Sequence, residues 1–461
     1  MLLFFIPIYI GITLYIGFWA SGKIKTASDF TLAGKSLSTS FVGVTLFATW
    51  FGSSQIMGNP SHFVENGFSS FFTLVFTNVI CLGTVGYFYV KKLYRLNIVT
   101  IGDFFRIRYN RQMDLVISII LLFTYPHWIA AQFVALAFLF DNVLGISVEY
   151  GILLSASVVV LYTYVGGMWA VSYTDMLQSI LILIGMIILL INVLDLTGGF
   201  APLFENKPKA FFSILPKNNF EDWNEYIAIL LAMLLGVLPA QEIYQRAFSA
   251  KSEKAAQNGL YLAGVLLLVL TSIPLIIALG AATLHPELMA EENGQNIIPN
   301  MVSLHSTMPV QILFYGALIS AILSTSSGAI LAPATVIGEN LIRPYQPNLS
   351  DKKLLLYTRL SVLLVAGMSC YIAYDDADIV ALVVASISLL LVCVFAPFTF
   401  GLFWKRASII GAWSAIIVGG LTWLMCHLLE TKIDATIYGT PASCIAMIIG
   451  SIWQPDQNKS E

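Results

Sequence analysis

The chain has 461 residues, 58% of them hydrophobic and 11% charged, with a formal net charge of −3. Soluble domains carry roughly 25% charged residues, so this apolar excess does not fit one water-soluble core; it fits repeated membrane crossings of about 20 apolar residues each. The small net charge gives no basis for nucleic-acid binding, and the five cysteines (Cys81, Cys370, Cys393, Cys426, Cys444) lie in apolar runs without metal-ligand spacing, as packing residues do.

The N-terminus, MLLFFIPIYIGITLYIGFWA, lacks a basic n-region and a small-residue cleavage site, so a retained first helix is predicted. Apolar runs predict an all-α polytopic membrane protein of about thirteen transmembrane helices: 2–21, 39–63, 68–90, 112–140, 149–166, 172–195, 225–243, 256–283, 309–342, 353–373, 378–403, 409–427 and 433–453. The second contains Ser40 to Pro60, SFVGVTLFATWFGSSQIMGNP. Gly52, Ser53 and Ser54 weaken it in the middle, through backbone freedom and through hydroxyls that compete for backbone partners. The seventh contains Ile227 to Gln241, IAILLAMLLGVLPAQ, with the same defect at Gly236 and Pro239. Matched interruptions in two halves of a chain point to a transporter's binding site.

Between helices three and four, Leu96 to Tyr109 (LNIVTIGDFFRIRY) reads as an amphipathic segment with Phe104 and Phe105 in lipid and Arg106 and Arg108 at headgroups, or as a plain basic loop. Lys23, Lys25, Lys35, Lys91, Lys92, Arg95, Arg106, Arg108, Arg111, Arg246, Lys251, Lys254, Arg343, Lys352, Lys353, Arg359, Lys405 and Arg406 all fall on one side of the membrane under these spans. The other side keeps Lys207, Lys209, Lys217 and Lys432, and a loop from Thr283 to Met308 that carries Glu287, Glu291 and Glu292 but no Lys or Arg. The positive-inside rule then predicts the N-terminus outside and the C-terminus, with Lys459, in the cytoplasm. Helices two and seven are an odd number apart and run in opposite directions. Helices 2–6 (39–195) and 7–11 (225–403) are therefore expected to be inverted repeats, flanked by further helices, within one membrane domain spanning 1–461.

Helix nine, GALISAILSTSSGAILAPA, places Ser320, Ser324, Thr325, Ser326 and Ser327 in mid-span. Sodium is a hard cation that takes oxygen ligands, which carriers supply as hydroxyls and as carbonyls freed where a helix unwinds. Ser324, Thr325, the Ala321 carbonyl and the break in helix two make a candidate ion site; close helix packing through small residues is the other reading. The GKS at Gly34 to Ser36 is not a phosphate loop, because Asp29 stands where the first glycine is needed. No HExxH, GxSxG or paired aspartates occur in the spans, so an enzyme is not predicted.

Five fragments in order resemble the sodium:solute symporter family, whose fold is the LeuT-type inverted repeat: SDFTLAGKSL (Ser28 to Leu37), YTYVGGMWAVSYTDMLQ (Tyr162 to Gln178), YQRAFSAKSEKAAQNG (Tyr244 to Gly259), SAILSTSS, and LFWKRASIIGAW (Leu402 to Trp413). The resemblance implies a sodium ion held by the carbonyls of Ala48, Phe51 and Ala321 and the hydroxyls of Ser324 and Thr325. It also implies that Asp175 lies on the route by which sodium leaves; a carboxylate favoured by a helix N-terminus is the alternative. ATWFG (Ala48 to Gly52) with GNPSHFVENGF, and HWIAAQF (His127 to Phe133), resemble the branch that includes high-affinity choline transporters. Trp50 and Trp128 would then be aromatic walls for a quaternary ammonium, although that branch has a Trp where Ala240 stands here.

Gln55, Gln132 and Gln241 complete the expected solute contacts. His127 is open between binding a solute carboxylate, sensing pH and bonding a neighbouring helix, and Glu242 is expected at the cytoplasmic mouth, paired with Arg246 one turn on. The function expected is sodium-coupled symport of a small organic solute across the plasma membrane by alternating access: choline or another quaternary ammonium first, then an amino acid or monocarboxylate. Proton coupling is the alternative, with a channel or sensor behind it. The expected partners are the solute, sodium and the lipid bilayer, with no nucleic acid and no obligate protein partner.

Overall fold

Side-chain caps set several helix starts by satisfying the orphan amides of a first turn. Ser38, Asn110, Asn219, Ser252 and Ser408 each accept from the backbone N–H three residues on. Gly145 and Gly198 close helices in the left-handed conformation. The computed structural model describes residues 2–205, 207–216, 219–290, 296–346, 348–375 and 378–456. The sequence expectations that rest on Lys217, Glu291, Glu292 and Lys459 lie outside the described residues.

The main helices in chain order are α1 (Leu2–Ser21), α2 (Thr39–Trp50, then Ser54–Gly58 and Asn59–Asn66), α3 (Phe68–Arg95), α4 (Arg111–Leu144), α5 (148–166) and α6 (168–197). They continue with α7 (Phe220–Phe248), α8 (Glu253–Leu284), α9 (Met308–Val336), α10 (Asp351–Asp375), α11 (Ile379–Phe403), α12 (Ile409–Leu428) and α13 (Ala435–Trp453). Among the described residues no β-strand forms beyond one isolated bridge between Leu37 and Ala250. Among the described residues ten helices are long and apolar enough to cross a membrane, and the expected count of thirteen is reached by adding the shorter apolar helices Pro7–Ser21, Thr39–Trp50 and Val148–Leu161. Thr39–Trp50 is short because α2 is broken after Trp50: Phe51 leaves the helical region at φ −92°, ψ 73°. The second break falls in α7, where a π turn at Ala232–Gly236 gives way to a turn at 237–240 before Gln241–Phe248 resumes. Both interruptions coincide with those predicted from Gly52–Ser54 and from Gly236 with Pro239.

α9 is the central rod. Every residue from Phe314 to Val336 is buried, as expected of a helix packed on all faces. It lies against α4 and α6 and touches the first half of α2, which in turn runs along α8. The paired glycines of YVGGMW make the corner between α5 and α6. Gly167 sits at φ +47°, and a Cβ there would lie 2.6 Å from the Phe30 carbonyl oxygen of the short helix Ala27–Leu32.

The segment between α3 and α4 does not face lipid. Thr100 and Asp103 form a capping box that starts the helix Ile101–Arg108. Phe104 and Phe105 are buried against Phe398 of α11. Arg108 donates from Nε to the Gly401 carbonyl at 2.8 Å and from Nη2 to the Ala407 carbonyl at 2.6 Å. Tyr109 donates to the Pro397 carbonyl at 2.7 Å, and burial pushes its hydroxyl pKa upward. The lipid-facing reading fails because an apolar stripe looks the same whether bilayer or protein covers it.

The corner at Gly167 yields a stability test. Gly167→Ala should cost about 1–3 kcal/mol, from a strained φ and the crowded carbonyl, whereas Gly11→Ala, where a Cβ meets nothing within 4 Å, should not lower stability. Thermal unfolding of the purified variants in detergent, followed by tryptophan fluorescence, checks the difference.

Candidate ion and solute site

The break in α2 releases specific carbonyls. In an unbroken helix the amides of Gly52 and Ser53 would bond the carbonyls of Ala48 and Thr49. Here the Gly52 N–H donates to Gln55 Oε1 at 3.3 Å, and the Ser53 N–H donates to Gln132 Oε1, from α4, at 2.9 Å. Ser54 Oγ also donates to Gln55 Oε1, at 2.9 Å. Two glutamines expected to meet solute thus cap the broken end.

The freed Ala48 carbonyl accepts from Thr325 Oγ1 of α9 at 3.2 Å. Gly52 allows this approach, since a Cβ there would lie 2.5 Å from Thr325 Oγ1 and 2.6 Å from Gln132 Oε1. Ser324 Oγ donates to Asp175 Oδ1 at 2.5 Å, and Thr45 Oγ1 of α2 donates to Asp175 Oδ2. The other hydroxyls of the cluster bond their own helix, Ser320 to the Gly316 carbonyl, Ser326 to that of Ile322 and Ser327 to that of Ser324, and Ser320 also meets the Tyr9 hydroxyl of α1 at 2.5 Å. The α9 hydroxyls that reach towards α2 and α6 are therefore the expected pair, Ser324 and Thr325. Ala321, one turn earlier, is fully buried, as are Ala48 and Phe51.

Asp175 carries no direct ion pair among the described residues; its two hydroxyl donors come from α2 and α9. Arg246, entirely buried, donates from Nε to the Thr45 carbonyl at 3.3 Å and from Nη1 to the Glu242 carbonyl at 3.5 Å. Thr45 thus links the buried acid and the buried base. The expected Glu242–Arg246 pair does not form. The Glu242 carboxylate turns the other way, accepting from Trp50 Nε1 at 3.2 Å and from the Tyr125 hydroxyl.

A cavity of about 780 Å³, open solvent at its mouth included, lies beside both breaks. Trp50, Ser54, Gln55 and Asn59 line it from α2, Thr124, Tyr125 and Trp128 from α4, and Val237, Ala240 and Glu242 from α7. Leu74 and Asn78 of α3 and a face of α11 that includes Ser386 complete it. Of the expected solute residues, Trp50, Gln55 and Trp128 are on this wall. Gln132 is fully buried behind the break. Gln241 is turned away: its Oε1 accepts from the Ile101 N–H at 2.8 Å, at the start of the helix Ile101–Arg108. His127 does not line the cavity. Sequence reasoning missed Thr45, Tyr125 and Glu242 as parts of the site. The available signals were Thr45 one turn before Ala48 on the same face, and Glu242 directly after the second break.

Two unwound helix segments, carbonyls released against hydroxyls, and an aromatic cavity beside them define a secondary active transporter. The chain belongs to the sodium:solute symporter family, whose model matches residues 30–419. Its co-transported ion is sodium, and it is a multi-pass membrane protein, not an enzyme. It is 26% identical to the human high affinity choline transporter 1 over 432 residues, covering 88% of this chain and 73% of that protein. It is 28% identical to sodium/proline symporter 2 of Staphylococcus saprophyticus over 448 residues, covering 90% and 84%. The solved structure of a Na+-coupled sialic acid symporter in a substrate-bound outward-open state matches with a TM-score of 0.83 and 19% identity, over 97% of each chain. That likeness establishes the LeuT-type fold.

The close approach at Gly52 is testable without transport. Gly52→Ala should push α2 off α9 and lower thermal stability by about 1–3 kcal/mol, as overpacking does. Gly83→Ala in α3, with nothing within 4 Å of its Cβ, serves as the neutral control in the same unfolding measurement.

Proposed function

We propose that sodium binds between the broken α2 and α9, on the carbonyls of Ala48, Phe51 and Ala321 and the hydroxyls of Ser324 and Thr325, and that this ion drives import of a small organic solute held in the adjoining cavity. The observation that carries the reading is the 3.2 Å contact between Thr325 Oγ1 and the Ala48 carbonyl across the break. A cation displacing that hydrogen bond would meet oxygen from both helices. Trp50, which follows Ala48 by two residues, lines the cavity, so the ion that orders the broken end also orders a solute wall. Coupling follows by linkage: if sodium favours the solute-binding conformation, solute favours sodium by the same factor.

Asp175, held by Ser324 and Thr45, is proposed as the acid on the sodium exit route. All three shorter apolar helices are taken to cross the bilayer, giving thirteen crossings with 39–195 and 225–403 as inverted repeats. The basic residues orient the N-terminus outside and the C-terminus in the cytoplasm of a plasma-membrane protein. At 100 mV the potential contributes about 2.3 kcal/mol per charge, roughly a fifty-fold gradient for one sodium with a neutral solute. Gln55 and Gln132 serve this mechanism by fixing the break, and Gln241 by tying α7 to the Ile101–Arg108 helix. The aromatic walls Trp50 and Trp128 favour a quaternary ammonium such as choline, ahead of an amino acid or a monocarboxylate. Proton coupling is the second reading, favoured by two buried carboxylates, Asp175 and Glu242, at the two parts of the site.

Uptake into proteoliposomes under a sodium gradient, against a pH gradient alone, separates the two couplings; accumulation driven by pH without sodium would overturn the first. Ser324→Ala combined with Thr325→Ala should raise the sodium concentration for half-maximal uptake at least tenfold, about 1.4 kcal/mol. Unchanged sodium dependence removes both residues from the ion site. Trp50→Ala should weaken solute binding about tenfold or more and move the sodium requirement less; the opposite ordering, read from the same uptake curves, takes Trp50 out of the solute wall.

A further inference from the structure

We infer that Glu242 is the counter-ion of the transported solute, so that the cavity selects a small organic molecule bearing a positively charged nitrogen. This rests on the cavity being the solute site, as proposed above. Among the described residues that line the cavity, Glu242 is the one ionisable carboxylate and none is Lys, Arg or His. Its carboxylate is held by two neutral donors, Trp50 Nε1 at 3.2 Å and the Tyr125 hydroxyl. Both donors belong to aromatic rings that also face the cavity. Among the described residues no cation forms a salt bridge with it: Arg246, one turn on, donates to the Glu242 backbone carbonyl and the Thr45 carbonyl, and acts on the carboxylate only through space. Glu242 is 3% exposed. A carboxylate at membrane depth is costly unless something of opposite charge completes it, and here the open side of the group is the cavity.

The surrounding chemistry fits a ligand ammonium. The hydrogen bonds from Trp50 and Tyr125 fix their rings beside the charge, and Trp128 lies 6.3 Å from Tyr125, ring centre to ring centre. Aromatic faces attract a cation most strongly where water is excluded. Asn59, Asn78 and Ser386 offer neutral hydrogen bonds to the remainder of the solute, such as a hydroxyl. The same carboxylate repels an anion, which removes monocarboxylates from the candidates. The sequence carries the signal: the residue that directly follows Gln241 after the break in α7 is an acid.

The test uses the purified full-length protein in saturating NaCl, with thermal stabilisation as the readout. The probes are choline, ethanolamine and proline, which carry a cationic nitrogen, against pyruvate and 3,3-dimethylbutan-1-ol, the uncharged isostere of choline. A cationic probe should bind at least a hundredfold more tightly than the isostere, and pyruvate should not compete with it. Glu242→Gln, which keeps size and acceptor, should shrink that preference below tenfold. Equal binding of choline and its isostere, or competition by pyruvate, in the unmodified protein overturns the inference without any variant; so does Glu242→Gln retaining the full preference. Stabilisation by NaCl over KCl in the absence of probe reports the ion site separately, so failure of the sodium reading is distinguishable.

Discussion

The contact on which the rest of the molecule depends is the approach of an unwound backbone to a hydroxyl. Where α2 breaks, the Ala48 carbonyl has lost its helical partner and meets Thr325 of α9 instead. A carbonyl left bare inside a membrane protein is costly, so the break persists only because α4 and α9 supply substitutes. Gln132 reaches in from α4 to take the Ser53 amide, and Gln55 folds back to take that of Gly52. Glycine at 52 is the geometric condition for all of this, since any side chain would occupy the space of Thr325 and Gln132.

Around that contact the buried charges form a short chain. Asp175 is joined to α2 and α9 through Thr45 and Ser324, Thr45 accepts from Arg246, and Arg246 touches the backbone of Glu242, whose carboxylate holds Trp50. One acid, Asp175, adjoins the proposed ion site through Ser324, and the other, Glu242, lines the cavity. Their hydrogen bonds run through α2, α6, α7 and α9. The chain of contacts joins elements far apart in sequence.

The opposite face of α7 is tied down by a separate network. Gln241 caps the helix Ile101–Arg108, and Asn340, in the π-helical segment Ile337–Ile342 that continues α9, donates to Asp114 at 2.9 Å and accepts from Thr100 at 2.6 Å. Arg106 and Arg111 pair with Asp103 and Asp114 at 2.8 Å and 2.5 Å. The result is a closed strut between α4, α7 and α9. Its polar groups partner one another, which is what a buried polar network needs to be stable.

Local chemistry alone determined much of this protein. Apolar runs marked the helices, and Gly52–Ser54 and Gly236 with Pro239 marked where two of them unwind; Ser324 and Thr325 stood in a hydroxyl cluster that close helix packing explained as readily as an ion site, and family resemblance singled out the pair. The tertiary structure alone decided which way each polar side chain faces. Gln55, Gln132 and Gln241 are the same residue type near the same breaks, yet only Gln55 lines the cavity; Gln132 and Gln241 are spent on backbone amides of other segments. Glu242 abandons the neighbour its i,i+4 spacing suggests because Tyr125 and Trp50, distant in sequence, offer donors the helix surface does not. Phe104 and Phe105 read as lipid-facing until α11 is placed over them. The reason is common to all three cases: periodicity and composition report what a residue prefers, while its partner is chosen by which other helix the fold brings within hydrogen-bonding or van der Waals reach.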